Sequence, residues 1–215
     1  MRCAEAMDDL KSITSSLIRH GFSEDQNYPS MKKVGNQFHI SFAGFQDISI
    51  ALKDVAYQEI YHKLDELRQY NVKLLDGALI QIFYCYENDE LTKHRLCYFP
   101  APTFESFQNE PELYLDEGNI YADIIQKSIL PVPIRFDFAP NDAEPIIHPS
   151  SHLTLGQYKN CRIPVTSPLC PSTFVNFILS SFYSTAYLEI PATFSSRRLQ
   201  KTIHVDELSF LHINV

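Results

Sequence analysis

Along the first hundred residues the apolar positions switch between two periods. Leu10, Ile13 and Leu17 recur at helical spacing and Gly21 follows them, so the pattern predicts a helix over about 4–20 with a glycine stop. Over 36–45 the period shortens to two: Phe38, Ile40 and Phe42 alternate with His39 and Ser41, as in a half-buried strand. A short strand is expected over 48–52. A second helix then starts at an Asp54 cap and runs to about Tyr70, burying Val55, Ile60, Leu64 and Leu67. Segments 79–86 and 91–99 flank Glu87 to Glu90 and read as a β-hairpin with Asn88 and Asp89 at its tip.

After residue 99 the punctuation changes, because twelve of the thirteen prolines lie there. Proline removes a ladder donor, so this half should consist of short strands and fixed turns. Residues 105–123 carry six acidic and no basic side chains, which predicts a solvated loop or, alternatively, a lid or docking segment. Pro171 opens a third helix; Phe174, Val175, Phe177, Ile178, Leu179 and Phe182 make it apolar nearly all round, hence central or covered by a partner. The alternation over 207–215 reads as a final strand. Together these elements predict an α+β fold, a mostly antiparallel sheet with helices packed against it. Strands near 36–45, 79–86, 91–99 and 133–139 should share that sheet. The expected organisation is a single domain over 1–215, with 1–102 and 103–215 as candidate sub-lobes.

Composition narrows the function classes. A chain of 215 residues can bury roughly 70% of its unfolded surface, so it needs no staples. The formal charge of −8 argues against gripping nucleic acid over the whole surface and leaves only a local contact open. Arg197, Arg198 and Lys201 could form such a patch, or simply a solvated loop. Cys3, Cys85, Cys97, Cys161 and Cys170 form no metal-ligand spacing and read as reduced thiols. The N-terminal segment is charged throughout, unlike a secretory signal or membrane span, so a cytoplasmic protein is expected.

The polar chemistry concentrates between residues 135 and 165. Arg135 and Asp137 stand two apart on a predicted strand and share a face, with Phe136 and Phe138 on the other. One reading is a structural Arg–carboxylate network. The other makes Arg135 an anion ligand and Asp137 a metal ligand or base. His148 and His152 are four apart, but Pro149 opposes a helix there, so the logic of two ligands on one helical turn does not apply. Asp137, His148 and His152 could instead close a two-histidine, one-carboxylate site for a divalent metal, the candidate cofactor. Alternatively the imidazoles cap turns. Arg162, and Lys159 in the turn before it, are further candidate anion ligands.

At these residues the chain resembles the bacterial domain-of-unknown-function family numbered 2290. The segments that carry the resemblance are 135–138, 148–156, 161–165 and 174–183. More faintly, the Arg-x-Asp strand followed by paired histidines resembles the TumE toxin-like family, whose positions would fall on Arg135, Asp137, His148 and His152. Both resemblances imply an accessory gene of mobile-element or phage-defence loci. The leading expectation is therefore a cytosolic subunit acting through a protein partner encoded nearby, with self-association a further expectation and no role at a membrane. The alternative is a metal-dependent phosphodiesterase or nuclease using Arg135, Asp137, His148, His152 and Arg162.

Overall fold

The computed structural model describes residues 1–46, 55–102, 132–158, 160–189, 194 and 196–215. In chain order the elements are α1 (Cys3–Arg19), β1 (Ser23–Gln26), β2 (Pro29–Val34), β3 (Gln37–Phe42), α2 (Tyr57–Glu66), β4 (Val72–Leu74), β5 (Leu79–Glu87) and β6 (Glu90–Phe99). They continue with β7 (Ile134–Phe138), β8 (Ser151–Leu155), β9 (Ile163–Pro164), α3 (Pro171–Phe182) and α4 (Ser184–Glu189). Single 3-10 turns occupy Pro140–Asp142 and Val205–Ser209.

Among the described residues the nine strands form one sheet in the order β1-β4-β5-β6-β7-β8-β9, with β3 also paired to β5 and β2 to β3. Every strand pair is antiparallel. The fold is α+β, as the alternating patterns predict. Asn88 and Asp89 sit at φ 52° and 66°, the paired left-handed conformation of a type I′ hairpin. The Asp89 carboxylate then accepts the Cys3 N–H at 2.7 Å and so caps α1.

One edge of β5 is shared. β4 pairs with residues 79–80 and β3 with residues 84–87, leaving Ile82 at the fork. Its backbone groups are satisfied by side chains: Asn71 Oδ1 accepts the Ile82 N–H at 2.6 Å, and the Ser41 hydroxyl donates to the Ile82 carbonyl at 2.7 Å. A buried backbone group without such a partner would cost about as much as a lost hydrogen bond.

The main core lies on one face of the sheet. Leu10, Ile13 and Leu17 of α1 meet Phe174, Val175, Ile178 and Leu179 of α3 over Ile80, Ile82, Tyr84, Leu96 and Phe136. Each such large side chain, fully buried, contributes about 1.5–3 kcal/mol. Asp9 of α1 also accepts from the Ser172 N–H at 3.2 Å and from its hydroxyl, capping the first turn of α3. Thus α3 is apolar because it is central, and no partner is needed to cover it. On the opposite face α2 packs Ile60, Tyr61 and Leu64 against Leu79, Cys97 and Phe99. That leaves the part of this face formed by β6, β7 and β8 for the polar block.

Three expectations change. The second helix is shorter than 54–70, and Val55 and Leu67 are exposed. Arg68, at φ 49°, ends it; the Arg68 N–H bonds Asp65 O at 2.9 Å and the Gln69 N–H bonds Leu64 O at 2.7 Å. That is a Schellman stop without its usual glycine. Residues 207–215 do not form a strand: His204 and Glu207 build a capping box that starts the 3-10 turn, and only Val165 and Ile213 form a β-bridge there. Strands β1 and β2 have no counterpart in the sequence reading, since their residues are mostly polar or exposed. The expected strand at 48–52, the Asp54 cap, the acidic segment 105–123 and Lys159 lie outside the described residues.

Candidate functional site

Register brings the polar block together. Arg95 on β6 pairs with Asp137 on β7, which pairs with His152 on β8, so three side chains form one row across the sheet. Arg135 lies two residues along on the same face, while Phe136 turns to the core and meets Phe174 and Phe177 edge-on. The Asp137 carboxylate is the centre of the row. Its Oδ2 accepts from Arg135 Nε at 2.5 Å and its Oδ1 from Arg95 Nε at 3.2 Å. Burial alone would push the Asp137 pKa up, but Arg135 and then Arg95 outweigh it and hold the carboxyl below its ordinary range. Asp137, Arg135 and His152 are all buried. Arg95 was absent from the sequence reading; its signal is a charge on the hairpin face opposite Leu96 and Tyr98.

The two histidines are neighbours, with ring centroids 4.9 Å apart. His152 Nδ1 lies 2.8 Å from the Pro149 carbonyl and His148 Nδ1 lies 2.8 Å from the Asp142 carbonyl. A carbonyl can only accept, so each Nδ1 carries the proton. Burial holds the His152 pKa below the ordinary imidazole value against the pull of Asp137, leaving it neutral near pH 7. Its Nε2 stands 3.6 Å from Asp137 Oδ2, too far for a hydrogen bond. Among the described residues no three His, Cys, Asp and Glu side chains are grouped to hold a metal ion. The expected Asp137, His148 and His152 ligand set is therefore not assembled in this arrangement, because both Asp137 oxygens are held by guanidinium groups. The Ser150 and Ser151 hydroxyls face Thr202, not an imidazole, at 3.0 and 3.1 Å.

Among the described residues Arg162 makes no hydrogen bond or ion pair with the Asp137 row and instead lines a groove with Ile146, Ile163 and Phe210. Its Nη1 donates to the Ile147 carbonyl at 3.3 Å. Residues 144–148 form a tight loop closed by Glu144 and His148, whose backbones exchange hydrogen bonds of 2.9 and 2.7 Å. Ile146, at the tip, has φ 71°, a conformation strained for a β-branched residue. It is fixed by its N–H bonding Glu207 Oε1 at 3.2 Å, while Glu207 Oε2 accepts the His204 N–H at 3.0 Å. The result is exposed apolar surface: Ile147 is 62% and Leu211 83% accessible, with Ile146, Leu208 and Phe210 about half exposed. A groove of about 240 Å³ runs between this tip, β9 and the C-terminal residues. Sequence reading missed this patch because Leu208, Phe210 and Leu211 were absorbed into an expected strand.

The basic residues Arg197, Arg198 and Lys201 are exposed, and Arg197 pairs with Glu5 at 3.2 Å. Among the described residues no helix is long and apolar enough to cross a membrane.

The chain matches no curated protein and no solved structure at a significant level. One family model does match, and the fainter likeness to the TumE family gains no support from it. That model, described as an uncharacterized conserved protein (DUF2290), covers residues 22–215, and the chain belongs to this family.

Proposed function

We propose that this chain is an accessory subunit that works by binding a protein partner. Its suggested setting, a bacterial phage-defence or toxin–antitoxin-like system, comes from the family resemblance in the 135–183 segments. The observation that carries the partner-binding reading is the apolar surface at Ile146, Ile147, Leu208, Phe210 and Leu211. Ile146 and Ile147 are presented by a strained turn anchored on the buried Glu207, and Leu208, Phe210 and Leu211 follow that same glutamate in the chain. Exposed apolar groups gathered on one surface commonly mark an interaction site, and backbone strain tends to persist where function needs it. Meanwhile both oxygens of the Asp137 carboxylate are engaged by the guanidinium groups of Arg135 and Arg95. Their role is to hold β6, β7 and β8 together.

Co-expression with the products of adjacent genes tests this directly. A defined complex of fixed stoichiometry is expected by size-exclusion chromatography with light scattering. Phe210→Ser with Leu211→Ser should disrupt it while leaving the melting temperature unchanged. A monodisperse chain that ignores every neighbouring product would refute the reading.

One observation favours the hydrolytic alternative. The rings of His148 and His152 lie 4.9 Å apart and both Nδ1–H groups are oriented by backbone carbonyls, which makes Nε2 the nitrogen that either ring could offer a metal. Titration calorimetry with Zn²⁺ and Mn²⁺ decides it: saturable binding lost in His152→Ala supports a metal centre, and absence of heat removes it.

A further inference from the structure

Building on the partner-binding reading, we propose that the groove beside β9 takes an apolar segment of the partner that carries an aspartate or glutamate, with Arg162 as its anchor. The walls are Ile146, Ile163, Pro164, Phe210 and Leu211, and Arg162 is the cation among them. Glu207 also borders the groove, but both its oxygens already accept backbone N–H groups. Among the described residues Arg162 has no carboxylate within ion-pair distance; its bond to the Ile147 carbonyl occupies one of five donors.

The electrostatics of docking then dictate the partner's chemistry. While the groove is open, water solvates the guanidinium. An apolar side chain seated against Phe210 and Ile163 would strip that water away, and an uncompensated charge in an interface is costly. A carboxylate beside the apolar anchor removes the penalty and can bond the guanidinium in a bidentate fork. A second copy of this chain is a poorer occupant, because two chains each of formal charge −8 repel. Duplex or single-stranded nucleic acid is poorer still, since the walls are apolar and the groove offers a single cation.

The test uses the full chain, labelled with ¹⁵N, and two probes: acetyl-Leu-Glu-Phe-amide and its Gln analogue. Amide shifts should concentrate at Ile146, Ile163 and Leu211. The Glu peptide should bind about tenfold tighter, the size expected for one charged hydrogen-bonded pair. Arg162→Gln should erase that difference while keeping the folded spectrum and the weaker apolar binding. Equal affinities, shifts located elsewhere, or no binding by either peptide would overturn the proposal. So would shifts of the same amides on concentrating the protein alone, which would mark a self-interface. A partner complex from co-expression that survives Arg162→Gln but not the Phe210→Ser, Leu211→Ser pair would also overturn it, yet leave the partner-binding reading standing.

Discussion

Replacing Asp137 by Asn separates a structural from a catalytic role for the β6–β7–β8 row. The substitution keeps the shape of the side chain and removes its charge. Arg135 then loses a carboxylate 2.5 Å away, and Arg95 loses one 3.2 Å away, with both guanidinium side chains at most 15% accessible. Removing one partner of a buried pair strands the remaining charge and costs about 3–5 kcal/mol. For a chain of this length that lowers the melting temperature by about 6–20 °C. The pH dependence adds a second signature. A carboxyl whose pKa is depressed by folding stabilises the native state above its unfolded value near 3.9, and that contribution disappears as pH falls through the lower folded value. The gap between wild type and Asp137→Asn should therefore be constant from about pH 5 to 8 and shrink below about pH 4. Urea denaturation followed by circular dichroism across that range measures both. A catalytic carboxylate behaves oppositely, since its removal commonly leaves stability unchanged or improved. A loss below about 1 kcal/mol at pH 7, or a gap that persists undiminished in acid, would refute the structural assignment.

His152→Ala should cost about 1–3 kcal/mol in chemical denaturation, because the Pro149 carbonyl loses its buried donor; unchanged stability would contradict this. His94, fully buried, has its pKa lowered to about 4 by desolvation. The unfolded chain therefore takes up that proton first, near pH 6.5, and stability falls with acidification between there and about pH 4, by about 3 kcal/mol in all. His94→Gln should flatten this limb, and a parallel decline in the variant would count against it. Ile146→Gly relieves a positive φ at the expense of unfolded-state entropy, so denaturation should show no loss and a gain of up to about 1 kcal/mol.

Local chemistry was legible where it sufficed to define a structure. Gly21, Pro171 and the Asn88–Asp89 tip each impose a backbone conformation by themselves, and each stands where the pattern put it. The period-two spacing of Arg135 and Asp137 likewise predicted a shared face. What could not be read depends on partners distant in sequence. Arg95 completes the Asp137 row only through the β6–β7 register, forty-two residues away. Arg68 stops α2 in a conformation that sequence rules reserve for glycine, because Asp65 accepts its N–H and Leu64 accepts the N–H of Gln69 that follows. The edge strand β2 carries Lys32 and Lys33, a composition that protects an edge and hides it from hydrophobic pattern.

The same distinction bears on function. The 135–165 block concentrates ionisable groups, yet the fold buries Arg135 and Asp137 as a pair and adds Arg95 from β6, so their charges are engaged with one another across the sheet. Ile146, Ile147, Phe210 and Leu211 carry no titratable group, and in sequence they look like core. Only the fold leaves them exposed: Ile146 and Ile147 on a strained turn held by Glu207 some sixty residues later, Phe210 and Leu211 just after the 3-10 turn that contains this glutamate. In this chain buried polar residues tie the strands of the sheet together, and the apolar residues left exposed at Ile146, Ile147, Phe210 and Leu211 form the surface we propose for a partner.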